Sequence, residues 1–266
     1  MAFTVHRRGA LEYLQAETLS GAIHGFTTRY GGVSSGYLSS LNLGVHRGDD
    51  PENVRKNYEI IGAALGFDPA GVVMTHQVHS DVVRRVGREN RGEGLFRPVP
   101  GDYDGLITDE PGVVLAVFSA DCVPILLFDP VRRAVGAVHA GWRGTAAGIV
   151  RTAGEKMRTE FGCDPRDLRA AIGPCIGPCC FETGPEVPAA MAEALGAEAE
   201  GQCRPAGEKY YVNLKELNRL WLTRLGVTAI DVSPDCTHCQ PDRFWSHRTV
   251  GFERGAQAGL IGLIDN

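Results

Sequence analysis

The spacing of apolar residues predicts a long amphipathic helix in the first quarter of the chain. Asp50 is expected to cap this helix, Pro51 fits its first turn, and Gly66 ends it. Residues three or four positions apart share one face of a helix. The apolar positions that recur at this spacing are Val54, Tyr58, Ile61 and Leu65.

The middle of the chain has a different pattern, with short continuous apolar runs at 113–118, 124–128 and 134–138. Runs of this length separated by turn-like segments, such as Asp129-Pro130, are typical of strands buried on both faces. We therefore expect three adjacent strands of one buried sheet. Residues 72–75 are a further candidate strand, whereas 89–100 have the composition of an exposed loop.

Two more helices are predicted after these strands. The first covers 145–161 and ends at Gly162, and the second follows Asn213, which resembles a capping box with Glu216. Its apolar face consists of Leu214, Leu217, Trp221 and Leu225. Strands and helices are mixed without strict alternation, so we predict an α+β fold with mixed or antiparallel β-sheets layered with helices. No internal repeat divides the chain, and residues 1–266 are expected to form a single domain.

Composition supports a globular protein, because 43% of the 266 residues are hydrophobic and 22% are charged. The most apolar stretch, 113–128, is interrupted by Ser119, Asp121 and Pro124, which argues against a membrane span. Glu12 and Gln15 likewise interrupt any apolar centre of a signal sequence. A cytoplasmic location is expected, and the 8 cysteines should be thiols or metal ligands there rather than disulfides.

The net charge of -5 argues against a protein that follows a nucleic-acid backbone. A few arginines can nevertheless bind a small phosphate whatever the net charge, since the guanidinium group makes paired charge-assisted hydrogen bonds. The glycines at Gly31 and Gly32 do not have the spacing of a P-loop or of a dinucleotide fingerprint.

Three residues at the ends of apolar runs are candidates for a catalytic metal site. His79 closes Gln-Val-His, Cys122 closes Ala-Asp-Cys, and His139 precedes Ala-Gly-Trp-Arg-Gly. Zinc enzymes commonly use three protein ligands and leave the fourth position open, and zinc accepts two imidazoles with one thiolate. The residues alone leave this site and ordinary structural roles equally open, and His76 is a rival ligand three residues before His79.

The other cysteines have weaker signals. Cys236 and Cys239 form a C-x-x-C pair, but no second pair stands at zinc-finger spacing, so unligated thiols are the default there. The remaining candidates are interpreted as structural residues of a tight turn: Cys175, Cys179 and Cys180. A multicopper oxidase needs several paired imidazoles, yet the chain has no His-x-His and only 8 histidines. A single copper ion still suits the same two-histidine, one-cysteine ligand set.

Taken together, the motifs resemble the laccase-domain family of the YfiH and YlmD type, from about His24 to the carboxyl end. Besides the segments of the candidate metal site, the matching motifs are His24 to Ser34, Ser40-Leu41-Asn42-Leu43-Gly44, Gly173-Pro174 through Phe181-Glu182, and Arg243-Phe244-Trp245-Ser246. They recur in order over nearly the whole chain. The resemblance implies an α+β core similar to that of cysteine hydrolases.

The resemblance also implies an activity and a site. Members once labelled polyphenol oxidases are understood as purine nucleoside phosphorylases that split adenosine, inosine and methylthioadenosine, with an accompanying adenosine deaminase activity. Their zinc site corresponds to His79, Cys122 and His139, which selects His79 over His76, and these three are the expected catalytic residues. The expected partners are a purine nucleoside and inorganic phosphate, without nucleic acid or membrane, and members usually act as monomers.

The residues expected to bind nucleoside or phosphate are Arg29, Asn42, Arg143 and Arg248. The sequence departs from the family where an Arg-Arg-Asp-Gly segment is usual, because Arg248-Thr249-Val250-Gly251 stands there instead. The work of the missing arginine could fall to Arg248 or Arg254.

Two other functions remain open from the sequence. Cys122 could be the nucleophile of a cysteine hydrolase or amidase, with His79 or His139 as its base. Alternatively, zinc could clamp a non-enzymatic binding module, for which a closed sphere of four ligands would be the signature.

Overall fold

The structure, a computed structural model, describes residues 3–264, and this part of the chain contains 7 α-helices and 15 β-strands. The helices are Pro51–Leu65 (α1), Trp142–Ala147 (α2), Ile149–Phe161 (α3), Glu186–Leu195 (α4), Ala197–Glu200 (α5), Leu214–Leu225 (α6) and His247–Val250 (α7). The strands are Phe3–Arg8 (β1), Leu11–Ala16 (β2), Ala22–Thr27 (β3), Val72–Met74 (β4), Val83–Arg85 (β5), Gly105–Thr108 (β6), Val114–Ser119 (β7), Val123–Asp129 (β8), Ala134–Ala140 (β9), Arg169–Ile172 (β10), Glu182–Thr183 (β11), Cys203–Ala206 (β12), Lys209–Val212 (β13), Ala229–Val232 (β14) and Gln257–Leu263 (β15).

Most strands belong to two six-stranded mixed sheets. The first has the order β1-β2-β3-β15-β7-β4, with only the β7–β4 pair parallel. The second has the order β14-β10-β8-β9-β6-β5, with parallel pairs at both edges. A third sheet of three antiparallel strands has the order β11-β13-β12. The predicted α+β fold with mixed and antiparallel sheets is confirmed.

Three hydrophobic clusters define the layers. One lies between the two large sheets, where Leu115 and Ile261 of the first sheet join Leu126 and Val135 of the second. Another packs α1 against the outer face of the first sheet, and a third packs α3, α4 and α6 against the outer face of the second. The order of layers is therefore helix, sheet, sheet, helix, and each sheet is buried on both faces. This explains why its strands form continuous apolar runs.

The helix predictions hold with one correction. Asp50 caps α1 by accepting a hydrogen bond from the Glu52 N–H, and Gly66 ends this helix at φ 85°. Asn213 caps α6 by accepting from the Glu216 N–H. The single helix predicted for 145–161 is wrong, because Gly148 adopts φ 76° and separates α2 from α3. Only glycine adopts this left-handed conformation readily, so it stops one helix and starts the next.

The expectation of three adjacent strands in one sheet is also corrected. The runs at 124–128 and 134–138 form the antiparallel neighbours β8 and β9, but the run at 113–118 forms β7 in the other large sheet. There β7 pairs with β15, from the end of the described chain, and with β4. Pairing over such a separation has no local signal. Residues 89–100 lack strands and α-helices as expected, although Glu93 and Leu95 within them are buried.

Among the helices of residues 3–264, none combines the length and apolar character that a bilayer crossing requires.

Candidate metal centre and cleft

The three predicted ligands meet at one end of the sheet sandwich, where the chain twice crosses from the first sheet to the second. His79 lies in the crossing from β4 to β5, and Cys122 lies in the crossing from β7 to β8. His139 is the second-last residue of β9, where it is paired with Pro124. The ligand atoms of the three residues all lie within 4.8 Å of one another. The structure thus brings together the three residues that the sequence analysis selected.

Asp104, directly before β6, orients two of these residues. Its Oδ1 lies 2.8 Å from His139 Nδ1, and it accepts hydrogen bonds from the backbone N–H groups of Val78, His79 and Ser80 at 2.8–3.1 Å. The carboxylate is fully buried. Because Nδ1 of His139 is engaged with Asp104, Nε2 is the ring nitrogen of His139 that could bind a metal ion, and the same carboxylate fixes the loop that carries His79.

The backbone at the two loop positions is strained. His79 has φ 65° and Asp121, next to Cys122, has φ 91°, and each such non-glycine residue costs on the order of 1–3 kcal/mol. Asp121 is held there because its carboxylate accepts from Thr237 Oγ1 at 2.6 Å and from the Arg248 N–H at 2.7 Å. Surrounding contacts therefore impose the geometry that presents Cys122.

Gly141 provides the room that the ligands need. A Cβ at this position would lie 2.7 Å from His79 Cδ2 and 3.3 Å from Cys122 Sγ, although the φ of −70° is open to any residue. Glycine is required here by space and not by backbone conformation. The Ala-Gly-Trp motif after His139 therefore serves the centre directly.

The charges of the centre are strongly coupled. Burial alone would raise the pKa of Cys122, but His139 and hydrogen bonds from both histidines lower this pKa to about 6. Burial would lower the pKa of His139, but the Cys122 thiolate and Asp104 raise it to about 9. Burial would raise the pKa of Asp104, yet its hydrogen bonds, first that with His139, lower this pKa to about 2. The lowered pKa of Cys122 and the raised pKa of His139 both favour a thiolate beside a charged imidazole, and a cation bound at His139 Nε2 could replace that positive charge.

A cleft of about 370 Å³ opens from the centre, and a smaller pocket of about 120 Å³ adjoins it. Both are lined by His79, Asp121, Cys122, Ile176 and Phe181. The larger cleft continues to Arg47, Ala120, His247, Arg248, Phe252 and Arg254, and the smaller pocket to Trp142, Arg143 and Leu214.

Arginine side chains line part of the cleft. Arg254 is 8% exposed, and burial together with the charge of Arg47 lowers its pKa to about 10. Burial also lowers the pKa of Arg47. Within residues 3–264 neither guanidinium forms a salt bridge with a carboxylate. Two neighbouring arginines that lack a carboxylate partner and are partly removed from water form a strong site for an anion.

The residues predicted to bind nucleoside or phosphate are separated by the structure. Arg248 lines the cleft and Arg143 lines the smaller pocket, where its guanidinium packs 4.3 Å from the Trp142 ring. Arg29 instead donates to the carbonyls of Ser39 and Pro241 and stacks on Trp245, and it is not among the cleft residues.

Asn42 is also engaged elsewhere. It is fully buried, and its side chain bonds to Gly44, Asp49 and Ala256. These hydrogen bonds stabilise the segment that leads to Arg47. Asn42 therefore lies next to a loop that contributes to the cleft, but it does not line the cleft itself.

The sequence analysis did not select Asp104, which orients the centre, or Arg47, which lines the cleft. Asp104 lies in Gly101-Asp102-Tyr103-Asp104-Gly105, where aspartate next to glycine has the composition of a turn. The expectation that a ligating histidine needs a carboxylate partner was the signal that could have found it. Arg47 follows the Asn42-Leu43-Gly44 motif by three residues, and a lone arginine between His46 and Gly48 has no distinctive spacing.

Cys236 and Cys239 do not supply a fourth ligand to this centre. They form a separate group with Cys179 and Cys180. Among the described residues, the group of His79, Cys122 and His139 is the only set of three or more clustered potential ligands that contains histidine.

Fold and site define an α+β protein with a two-histidine, one-cysteine group that could hold a metal ion beside a cleft lined by arginines. Residues 23–264 match the family model described as multi-copper polyphenol oxidoreductase laccase, and the chain belongs to this family.

Relatives in this family are named for a different reaction. The chain is 40% identical over 255 residues to purine nucleoside phosphorylase YlmD of Geobacillus stearothermophilus, covering 94% of this chain and 92% of that protein. It is 36% identical over 239 residues to purine nucleoside phosphorylase YfiH of Escherichia coli K12, covering 90% and 92% of the two chains. The crystal structure of YlmD from Geobacillus stearothermophilus superimposes with a TM-score of 0.93 over 99% of both chains at 39% identity.

Proposed function

We propose that the protein is a zinc-dependent purine nucleoside phosphorylase for adenosine, inosine and methylthioadenosine, with an accompanying adenosine deaminase activity. One observation carries this proposal: a single cleft joins His79 and Cys122, two of the three clustered potential ligands, to arginines that form no salt bridge with a carboxylate among residues 3–264. The names of the relatives agree with a nucleoside and phosphate as substrates. We further propose that it acts as a monomer in the cytoplasm, without nucleic acid or membrane.

Phosphate is assigned to the part of the cleft that Arg47 and Arg254 line. Arg47 and Arg254 repel each other across a partly buried space, so an anion between them relieves both desolvation and repulsion. Arg248 donates to the carbonyls of Cys180 and Glu182 through two nitrogens, which fixes its guanidinium at the edge of the cleft. Each charge-assisted hydrogen bond to phosphate contributes about 1.5–3 kcal/mol.

The nucleoside is assigned to the space between the arginines and the metal centre. A cleft of about 370 Å³ lies in the range of small-molecule sites. Phe181 and Phe252 offer aromatic surfaces on which a purine could stack. Phe252 is 84% exposed, and contact with a bound purine would bury part of its ring. Arg143 in the adjoining pocket offers a further donor for the base or sugar.

The ligand group fits zinc, because it offers two imidazoles and a thiol whose pKa is already lowered. The same donors also suit copper. When bound, the ion supplies Lewis-acid polarisation of the base, which serves deamination and departure of the purine. The chain itself keeps the Nδ1 proton of His139 on the side of Asp104 and holds His79 through the same carboxylate.

The proposed reaction is a substitution at C1′ of the ribose. An oxygen of phosphate forms the new bond to C1′, the C1′–N9 bond breaks, and the purine leaves with the bonding electrons and takes up a proton. Positive charge develops on the sugar, and the dianionic phosphate held by Arg47 and Arg254 stabilises it. The products are the free base and ribose 1-phosphate.

The test is to supply inosine with and without inorganic phosphate and to quantify hypoxanthine and ribose 1-phosphate by chromatography. The proposal predicts that both products appear together and only when phosphate is present. Hypoxanthine released equally without phosphate would show hydrolysis instead, and the absence of any product would reject the activity.

A cysteine hydrolase is the second candidate, and one arrangement favours it. Cys122, His139 and Asp104 form a thiol, imidazole and carboxylate series with a thiol pKa lowered to about 6. Metal removal separates the two proposals, since the same thiol cannot be both a ligand and a free nucleophile. Activity that disappears with chelation and returns with zinc supports the phosphorylase, whereas activity that survives or increases in metal-free protein supports the hydrolase.

A further inference from the structure

Four cysteines outside the cleft meet where two loops of the chain approach each other. Cys179 and Cys180 come from the loop before β11, and Cys236 and Cys239 come from the loop after β14. The Sγ atoms of all four lie within 4.8 Å of one another. Cys239 Sγ lies 3.5 Å from Cys179 Sγ and 3.3 Å from Cys180 Sγ.

These separations suit a shared metal ion. A tetrahedral zinc ion with Zn–S bonds of about 2.3 Å places its sulfur atoms about 3.8 Å apart. The four thiols are free in the structure, and a disulfide would need an S–S distance of about 2.05 Å. Four thiolates and no other ligand form the closed sphere that is typical of structural zinc sites.

The loop backbone is arranged to hold such a group. The Gly177 N–H donates to Cys236 Sγ at 3.1 Å, which stabilises a thiolate at this position. A Cβ at Gly177 would lie 3.2 Å from Cys179 Sγ and 3.2 Å from Cys236 Cβ, so the glycine leaves space for the sulfur atoms. The Thr237 N–H also donates to the Cys175 carbonyl at 3.1 Å, which ties the two loops together beside the cluster.

The same loops form a wall of the cleft. Phe181, next to Cys180, lines both pockets, and Arg248 donates to the Cys180 carbonyl. Thr237 holds the carboxylate of Asp121 in its strained position beside the metal centre. A metal ion bound by the four cysteines would join the two loops and so hold these cleft residues in place. None of the four cysteines would need to contact the substrate.

We propose that Cys179, Cys180, Cys236 and Cys239 bind a structural zinc ion that is distinct from the ion at His79, Cys122 and His139. The two sites share no ligand, so each can be removed separately. The fully thiolate site requires no open coordination position, and its role is to join the two loops.

The experiment is metal analysis of the full-length protein purified under reducing conditions. The proposal predicts two zinc ions per chain in the unmodified protein and one in the Cys239→Ser variant. Cys203→Ser is the matched control, because this buried cysteine belongs to neither group, and it should retain two ions. An unchanged zinc content in the Cys239→Ser variant would overturn the proposal, whereas the loss of one ion relative to the unmodified protein supports it whatever the total content.

A second pair of variants guards against loss of folding. Cys239→His keeps a zinc ligand and should retain the ion, whereas general misfolding would affect Cys239→Ser and Cys239→His alike. Cobalt substitution of the Cys122→Ser variant should give a thiolate-to-cobalt absorption of four-thiolate intensity, and this band should disappear when Cys239→Ser is added. A Cys122→Ser variant without this band would contradict the four-cysteine site.

These outcomes are independent of the phosphorylase proposal. If Cys122→Ser retains all its metal while Cys239→Ser loses one ion, the catalytic centre fails and the four-cysteine site stands. If Cys122→Ser loses one ion while Cys239→Ser retains all its metal, the catalytic centre stands and the structural zinc site is rejected.

Discussion

At the scale of single residues, the hydrogen bonds of one buried carboxylate fix the positions of both histidines in the candidate metal centre. Asp104 accepts from His139 and from three consecutive backbone N–H groups around His79. The family resemblance of the sequence motifs selected His79, Cys122 and His139 as the candidate ligands, whereas the residues alone had left the site open. The sequence did not identify Asp104, because the hydrogen bonds that give this residue its role join positions 25 and 35 residues apart.

Replacement of Asp104 by asparagine tests this role. An amide has a single acceptor oxygen, so it cannot serve both His139 and the loop of His79 as the carboxylate does. Loss of such a partner typically weakens metal binding about 10–100-fold, and competition against a chromophoric chelator would measure the change. Asp102→Asn is the control, because Asp102 is exposed and bonds to His76 outside the centre. Equal zinc affinity in the two variants would refute the role of Asp104.

Gly141→Ala tests whether the centre depends on local space. The new methyl group would meet His79 Cδ2 at 2.7 Å, and overpacking of this kind costs about 1–3 kcal/mol. If His79 moves away to relieve the contact, zinc affinity should fall by about 5–150-fold. Gly201→Ala, whose Cβ meets nothing within 4 Å, should bind zinc as the unmodified protein does. Unchanged affinity in the Gly141→Ala variant would show that the site tolerates the methyl group.

Arg254→Gln tests the anion site. The variant removes the charge-assisted contact to phosphate that we propose for Arg254, so the KM for phosphate should rise about 10–150-fold while the KM for inosine changes little. Steady-state kinetics with phosphate varied at saturating inosine would measure this. Arg166→Gln removes a surface arginine whose side chain is 80% exposed, and it should leave both constants unchanged. A normal phosphate KM in Arg254→Gln would place the anion elsewhere.

At the scale of elements, local signals predicted helix ends better than strand partners. Asp50, Gly66 and Asn213 act at the helix ends where the sequence placed them, because a cap interacts only with its own first or last turn. Gly148 was missed as a break, since a single glycine inside an apolar pattern is compatible with a continuous helix. The sheet of β7 could not be predicted, because its partner β15 comes from the end of the chain.

An ion-pair network connects β2 with the segment before α7, and it predicts a pH dependence of stability. Glu12 is buried and pairs with Arg243 at 2.6 Å and with Arg7 at 2.8 Å. Burial alone would raise the pKa of Glu12, but the hydrogen bonds from both arginines outweigh burial and hold this pKa below 4.5. A lowered pKa in the folded state stabilises the protein above pH 4.5, and this contribution is lost as the pH falls through the folded-state value.

Glu12→Gln should therefore destabilise the protein by about 1–3 kcal/mol at pH 7. The difference from the unmodified protein should shrink as the pH is lowered below 4.5, and urea unfolding at several pH values would measure it. Glu17→Gln, which changes an exposed glutamate nearby, should have little effect at any pH. A constant difference across the pH range would mean that the charge of Glu12 is not what stabilises the network.

At the scale of the whole molecule, the candidate site exists because the chain crosses twice between two stacked sheets at the same end of the sandwich. One crossing carries His79 and the other carries Cys122. His139 lies near the end of β9, close to both. Arg47 and Arg254, which line part of the cleft, come from distant segments. The motifs of the candidate ligands could be found in the sequence. The four-cysteine group could not, because it depends on contacts such as that between Cys179 and Cys239, 60 residues apart.

The most direct measurement of the central claim follows the oxygen atoms of phosphate. Metal-loaded protein is incubated with inosine and phosphate that carries ¹⁸O at all positions, and the ribose 1-phosphate formed is analysed by mass spectrometry. The account predicts one ribose 1-phosphate per hypoxanthine with the complete set of labelled oxygens, since a phosphate oxygen forms the bond to C1′. Free ribose in place of ribose 1-phosphate, or no cleavage of inosine by metal-loaded protein, would contradict it.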